Sequence, residues 1–455
     1  MRSTLLFMRF SSFLSVGITL GFACTSLWAQ PKLNSPYSRY GLGDPVRPFF
    51  AAQAGYGGQT AAFHDPYHLN PLNPASYAFL RTATFEGGAY AKYGQYRSNA
   101  SSLQTWSGNM AYLALGFPLR NAINDLLDRQ RSPWHYGMGL TLMPNTRVGY
   151  NIAVSDSLPE LGRLFNEFKG DGGTYRLSWG HALRYKRTAV GIDLGWLFGR
   201  MLYENSAAFR DSFPTFISTR RDDQYISGFL WKAGIQHDWV LRYLETDSTQ
   251  PKQWLSFGLS AGPQRRINST ANRLFVRHRG RLANGQYNNA DTLLLQNEQR
   301  YALTLPAALR VGVQYTQLNK WRVGAEMAYE GWSAFENTVR ANDTDFRNTL
   351  EAAIGLEYIP DHISYNRYLK RVRYRVGAYY RQDPRLVGSG HLDDIGLSWG
   401  LGFPLILPRQ QSSFIQTAFE IGRLGRGTSV RETYARFTLG FTFNDDSWFF
   451  KRRFD

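Results

Sequence analysis

Two pentapeptides, Gly258-Leu259-Ser260-Ala261-Gly262 and Gly396-Leu397-Ser398-Trp399-Gly400, have the spacing that presents a nucleophilic serine. That chemistry needs a sharp turn from a strand into a helix, with the serine standing clear at its tip. Both pentapeptides lie instead inside stretches that alternate apolar and polar residues, and such matches recur by chance in a glycine-rich chain. A serine whose histidine and acid came from other strands would leave no local motif, so that reading stays open. His64, Asp65 and His68 are the one local group of metal-ligand types, without a third nearby histidine or a His-Glu-x-x-His spacing. The sole cysteine, Cys24, can form no thiolate cluster. The chain therefore reads as a non-enzyme with no cofactor and no metal.

A second group of residues could handle anions. From Gln264 to Ala290 there is no acid, but there are Arg265, Arg266, Arg273, Arg277, Arg279 and Arg281, with His278. The run reads as an external loop. It could be a merely solvated one or one that faces the phosphates of lipopolysaccharide. Nucleic acid is excluded as a partner, because the arginines sit in no recognition motif.

The elements that carry these residues are strands. Of the 455 residues only 19% are charged while 15% are aromatic, a balance that suits many strands with ring-rich ends. Mean hydropathy is negative, and beyond the N-terminus no run of about 18 apolar residues marks a membrane helix. About fourteen strand-like stretches fall between Thr82 and Phe443. Trp321, Val323, Ala325, Met327 and Tyr329 alternate with Arg322, Gly324, Glu326 and Ala328. Ala435, Phe437, Leu439, Phe441 and Phe443 alternate likewise with Tyr434, Arg436, Thr438, Gly440 and Thr442. One apolar face meets lipid and the polar face lines a lumen. A soluble sandwich also alternates, but these stretches reach the length of about ten residues that spans a bilayer at barrel tilt. Tight connections at Arg184–Arg187 and Leu318–Lys320 contrast with long ones at 204–223, 266–298 and 334–345. Short turns on one side and long loops on the other are the outer-membrane pattern.

The expected fold is thus all-β: a transmembrane antiparallel barrel of about fourteen strands with an irregular N-terminal plug in its lumen. Residues 1–29 read as a signal peptide cleaved after Ala29, since Arg2 and Arg9 precede an apolar run from Phe10 to Leu27 followed by Trp28-Ala29-Gln30-Pro31. An uncleaved anchor is the alternative, since the run is long and Leu27 is not small. Loss of the peptide lowers the formal charge of +17 by two. Residues 30–80, dense in Gly and Pro and without a sustained period, read as the plug. Residues 81–445 form the barrel and 446–455 a periplasmic tail. The product is an integral protein of the cell outer membrane.

The Asn73-Pro74-Ala75 step before the first strand, the plug-like N-terminus and the strand number resemble the FadL-type outer-membrane transporters of long-chain fatty acids and other hydrophobic compounds. Finer matches resemble the branch common in Bacteroidota. They are Ser35-Pro36-Tyr37-Ser38-Arg39-Tyr40-Gly41-Leu42-Gly43-Asp44, Gly170-Asp171-Gly172-Gly173, Gly400-Leu401-Gly402-Phe403-Pro404-Leu405 and the ending from Phe443 to Asp455. The resemblance covers nearly all of the mature chain. It implies a plug that blocks the lumen, a hydrophobic pocket, and lateral exit of the ligand through a gap in the wall.

Carried onto this sequence, the gap falls at Met143-Pro144-Asn145-Thr146, because Pro144 cannot donate to a ladder. The same proline could equally mark only the end of a strand. Phe49, Phe50, Phe63, Tyr67 and Leu69 are the candidate ligand pocket, or else plug-to-wall packing. Arg322, Glu326, Arg373, Arg375 and Arg436 face the lumen, where they either attract a carboxylate head group or hold the plug. Inward Gly396, Gly400 and Gly402 leave room for plug backbone or an acyl chain, or serve curvature. The same branch also resembles barrels of type IX secretion, so a barrel that transports nothing and binds partners in secretion or surface attachment is the alternative. The expected partners are a hydrophobic small molecule, lipopolysaccharide and outer-membrane lipid, the barrel assembly machinery during biogenesis, and secretion-system proteins.

Overall fold

In the computed structural model the alternation appears as long antiparallel strands. The described residues are 35–98, 101–119, 132–158, 162–209, 216–245, 247, 249–282, 286–288, 290–340, 345–387, 390–406, 412–426, 428 and 430–446. The expected signal peptide with Cys24 and its cleavage after Ala29, and all but the first residue of the expected tail, lie outside them.

The wall opens with β1 (Ala83–Ser98), β2 (Ser102–Pro118), β3 (Trp134–Leu158) and β4 (Gly162–Tyr185). It continues with β5 (Thr188–Phe209) and β6 (Ile217–Tyr243). Two strands are each broken in the middle: β7 (Pro251–Gly262 and Arg265–His278) and β8 (Asp291–Leu305 and Ala308–Gln317). The rest are β9 (Trp321–Glu330), β10 (Thr349–Tyr358), β11 (Arg373–Val387), β12 (Gly390–Ile406), β13 (Ser412–Arg426) and β14 (Val430–Asp445). Each pairs with the next, and β1 pairs with β14 from Ala83↔Asp445 to Ser98↔Val430, which closes a fourteen-stranded antiparallel barrel. Closure gives every strand a neighbour on both sides over at least part of its length, as a membrane barrel requires.

Period two sets the faces. In β9, Val323 and Met327 are 45% and 55% exposed outward, while Glu326 between them is 5% exposed and points in. The breaks in β7 and β8 fall beside each other, at Pro263-Gln264 and Pro306-Ala307, where the register passes from Ala308↔Gly262 to Leu305↔Arg265. A proline in each strand removes a ladder donor and bends both together.

Two stretches expected as long loops are mostly strand. Residues 204–209 and 217–223 belong to the ends of β5 and β6, and 266–278 and 291–298 to the upper parts of β7 and β8, because these hairpins run on past the closed barrel. Beyond the bilayer neither face of a hairpin has to be apolar, so the alternation that reveals a wall strand fades while backbone pairing continues. Residues 334–345 do contain short 3-10 turns and a two-residue pairing of Glu336–Asn337 with β8.

Before β1 the chain is irregular: 3-10 turns at Pro36–Arg39 and Pro74–Phe79, a short helix at Ala51–Gly55, and two residues, Asp44–Pro45, paired to β3. From residue 49 to 80 every residue but Pro66, Tyr67 and Leu72 is buried. What buries them is the inward face of the wall. A ring of wall glycines permits it: a Cβ on Gly137 would overlap the Tyr77 carbonyl, on Gly258 that of Ala61, on Gly355 that of Tyr56, and on Gly377 the Gly57 amide. Several are ladder neighbours, Gly258↔Gly312, Gly324↔Gly355 and Gly355↔Gly377, so the belt lies at one level of the barrel.

Candidate functional site

The wall is interrupted at one side. The β2–β3 ladder pairs Pro118–Leu113 with Gly137–Leu142 and stops there. Above it β2 continues paired to β1, and β3 continues paired to β4. The interruption falls at Pro144, where the β3–β4 register also shifts between Pro144 and Thr146. Lacking an N–H, a mid-strand proline ends one ladder and bulges the other.

The N-terminal segment occupies the edge of β3 that β2 leaves. Asp44 pairs with Arg147 and Pro45 with Thr146, Val46 N–H donates to the Asn145 carbonyl at 2.9 Å, and Gly149 N–H donates to Ser38 Oγ at 3.1 Å. Arg147 reaches across, donating to the Met110 carbonyl of β2 at 3.1 Å with its guanidinium 4.8 Å from the Tyr90 ring centre.

A cavity of about 290 Å³ lies behind this interruption. Leu42, Phe49, Leu72, Leu197 and Leu230 give it apolar walls, and Asn145 and Thr146 belong to its lining at the break. Leu197 and Leu230 escaped the sequence reading because inward positions were expected to be polar. Their signal was there in Trp196-Leu197-Phe198 and Phe229-Leu230-Trp231, runs apolar on both faces, which mark strands buried on both sides.

Of the five candidate pocket residues, Phe49 lines this cavity. Phe50 is fully buried and stacks on Tyr112 at 4.0 Å, in one cluster with Leu69 and Tyr77. Phe63 is buried 6.3 Å from Tyr56 and beneath Arg322, and Tyr67 lies half-buried 5.9 Å from Phe414. The five are spread over the segment and form no single pocket. Irregular ring spacing fits packing on a curved wall as well as it fits a cleft.

The inward charges are paired with one another and with the segment. Asp65 takes Arg373 at 2.8 Å and Arg322 at 3.3 Å. Glu357 takes Arg375 at 2.6 Å and Arg322 at 3.3 Å. Glu326 accepts the backbone amides of Thr60 and Ala61, each at 2.5 Å, and pairs with Arg310. Arg436 lies 3.8 Å from Glu420, which also accepts from Arg47 of the segment at 2.7 Å. Asp65 belongs to the segment and not to a strand that crosses the membrane. Burial pushes its carboxyl up, but Arg373, His68 and Arg322 outweigh that and hold it well below the usual carboxylate range.

Asn73 of the Asn73-Pro74-Ala75 step caps its 3-10 turn, accepting from Ala75 N–H at 3.1 Å, and its amide donates to the Ala61 carbonyl at 2.6 Å. Gly191 and Gly234 of the wall make room for Pro74. Of the three inward glycines singled out in β12, Gly400 meets Gly55 of the segment, while Tyr379 fills the space at Gly396, and Gln416 with Arg373 that at Gly402.

The histidines part company: His68 lies near Gln416, Thr442 and Glu86, and His64 near Asp238 and Ser256. Among the described residues no three His, Cys, Asp or Glu are placed to hold a metal. His64 Nε2 is 2.9 Å from Asp238 and 3.2 Å from Ser256, whose hydroxyl donates to the same carboxylate at 2.6 Å. A proton relay needs serine and acid on opposite ring nitrogens, so these three form a buried polar contact. Ser260 and Ser398 of the two pentapeptides are buried inside strands, and Ser398 Oγ accepts from Gly57 N–H at 3.1 Å.

The basic run is also a correction, since it is largely strand and much of its charge is spoken for. Arg265, Arg266, Arg273 and Arg277 lie in β7. Arg273 meets Asp222 at 3.5 Å, Arg277 meets Asp291 at 3.0 Å and Arg281 meets Glu204 at 2.5 Å. Arg279 packs on Phe216 and Arg265 on Trp231, while Arg266 is exposed. The acids come from neighbouring strands, which a reading along the chain cannot bring together.

A protein-family model described as BamG matches residues 13–455. No curated protein matches the chain. Among solved structures it is similar to the CymD monoaromatic hydrocarbon channel, at 13% identity over 89% of this chain and 98% of that one, with a TM-score of 0.52. It is similar to the toluene transporter TbuX of Ralstonia pickettii at 13% identity, 88% and 99% coverage and a TM-score of 0.52. A FadL homologue of Pseudomonas aeruginosa gives 13% identity, 89% and 99% coverage and a TM-score of 0.54. At such identities the likeness is one of fold, and the FadL-type barrel expected from the sequence is the fold the chain has. A closed barrel with this apolar exterior is an integral protein of the outer membrane.

Proposed function

The chain belongs to the BamG family, and from that premise we propose that it passes hydrophobic small molecules, long-chain fatty acids among them, across the outer membrane. Residues 35–80 act as a plug. The molecule enters the cavity from the outer side and leaves sideways between β2 and β3 once the Asp44–Val46 stretch leaves the edge of β3. The observation that carries this reading is the coincidence of the ladder's end at Leu142 with a partly apolar cavity whose lining includes Asn145 and Thr146. A cavity of 290 Å³ is at the small end of ligand sites, so in this closed form it admits a compact molecule or one end of a long chain. The lumen charges support the plug, because they are paired with it and with each other. Native mass spectrometry of the protein from outer membranes tests the reading. An apolar ligand bound to the wild type and absent from Leu197→Arg supports it, and equal ligand in both contradicts it.

One observation favours a second reading, in which the barrel binds a protein partner in secretion or surface attachment. The upper part of β8 projects beyond the barrel with Leu293, Leu294 and Leu295 exposed, and among the described residues Asp291–Arg300 have no ladder partner on the side away from β7. An unpaired edge with exposed leucines is a ready template for another strand. A stoichiometric partner lost on Leu294→Asp, from a preparation without apolar ligand, would favour this reading over transport.

A further inference from the structure

The outer face of a barrel is convex, yet here one sector is hollowed. From β7 to β14 an apolar depression of about 1110 Å³ opens toward the lipid, with Val311, Met327, Ile354, Leu397 and Ile421 around it. Alanines at outward positions, Ala325, Ala352 and Ala378, also line it and stand lower than their neighbours. In the same sector the inward glycines Gly355 and Gly377 let the wall close onto Tyr56 and Gly57. Short side chains outside and close approach inside together produce the hollow.

One end of the hollow is cationic. A second cavity of about 340 Å³ shares Tyr380, Ile395 and Arg423 with it and adds Arg426 and Arg431. Arg97 of β1 stands directly opposite Arg431 of β14 in the ladder. All four arginines are exposed, and no carboxylate among the described residues pairs with any of them. Like charges opposite each other cost stability unless an anion lies between them. The acid in this lining, Asp393, is already taken by Arg347 at 2.5 Å and by the Tyr380 hydroxyl at 3.1 Å. The cluster sits at the β13–β14 hairpin, away from the tight turns after Tyr185 and Gln317, and therefore at the level of the outer leaflet.

We propose that this face holds one phosphorylated, multiply acylated glycolipid of the outer leaflet, the chemistry of lipid A. Its acyl chains fill the hollow, and its phosphate lies on Arg423, Arg426 and Arg431 with Arg97 beside them. Charge complementarity selects this occupant over an uncharged chain. Another exterior depression, of about 560 Å³ between Met138, Leu140, Leu177, Trp179 and Trp196, has no charged residue in its lining and provides an internal comparison.

The test is native mass spectrometry of the full-length protein in mild detergent, titrated separately with lipid A, dephosphorylated lipid A and phosphatidylglycerol. Lipid A should bind, and the other two should bind roughly ten-fold or more weakly, because several charge-assisted hydrogen bonds to a phosphorylated sugar are lost. The triple change Arg423→Gln, Arg426→Gln and Arg431→Gln should bring lipid A down to the level of its dephosphorylated form. Ala352→Trp, which fills the hollow and spares the charges, should weaken all three acylated ligands together. Heat-dependent gel mobility confirms that each variant is folded. Equal binding of lipid A by the wild type and the triple variant, equal binding with and without phosphate, or phosphatidylglycerol bound as well as lipid A would each overturn the proposal. None of these outcomes depends on whether the barrel transports.

Discussion

Val46 N–H donates to the carbonyl of Asn145 at 2.9 Å, and this bond lies where the wall loses its own ladder. With Asp44 opposite Arg147 and Pro45 opposite Thr146, it makes a short stretch of the N-terminal segment a substitute for β2 beside β3. A contact so short is weak, and weakness is what the proposed lateral exit requires. One backbone hydrogen bond contributes about 0.5–1.5 kcal/mol net.

Removing that donor should therefore loosen this stretch and leave the barrel intact. Val46→Pro is expected to raise hydrogen exchange across residues 40–47 several-fold while the melting temperature of the barrel moves by no more than a few degrees. Unchanged exchange in this stretch would mean that the pairing does not hold it.

The Asp65 cluster should behave in the opposite way. Arg322 and Arg373 both converge on this carboxylate, so Asp65→Ala takes the carboxylate from the largely buried Arg373, while Arg322 keeps Glu357, and should cost about 3–5 kcal/mol. Denaturant unfolding measures it, and a loss below about 1 kcal/mol would show that the cluster is solvated.

The sign of the pH dependence follows from the same group. Its folded pKa is depressed, so its contribution is present above the ordinary carboxylate pKa and is lost only as pH falls below it. Protease protection of residues 49–80 should thus be the same at pH 7 and pH 5. Loosening within that interval would contradict the pairing.

The glycine belt gives a paired comparison. Gly258→Val puts a side chain onto the backbone of Ala61 and should destabilise by about 1–3 kcal/mol or displace the segment, whereas Gly280→Ala meets nothing within 4 Å and should be neutral. Equal melting temperatures for the two variants would mean that the wall yields freely.

Much of this architecture was legible in the chain. Alternation through Val323, Met327 and Glu326 revealed the strands, and Pro144 marked the broken ladder, because both signals are local in sequence. What stayed hidden is assembled across strands. The upper hairpins lost their alternation outside the bilayer. The partners of Arg273 and Arg281, Asp222 and Glu204, stand on other strands, and the apolar Leu197 and Leu230 sit where a lumen was expected to be polar. Phe50 and Leu69 look like pocket residues in a list and lie packed between the segment and the wall, because only three-dimensional burial separates the two readings.

The central claim is that ligand leaves past the Asp44–Val46 stretch, and a reversible lock tests it most directly. Val46→Cys with Asn145→Cys, in a Cys24→Ser background, places two thiols on neighbouring hydrogen-bonded strands, within disulfide reach. Uptake of a fluorescent fatty acid into liposomes carrying the protein should stop on oxidation and return on reduction. The same rate in the oxidised and the reduced protein would contradict lateral exit at this break.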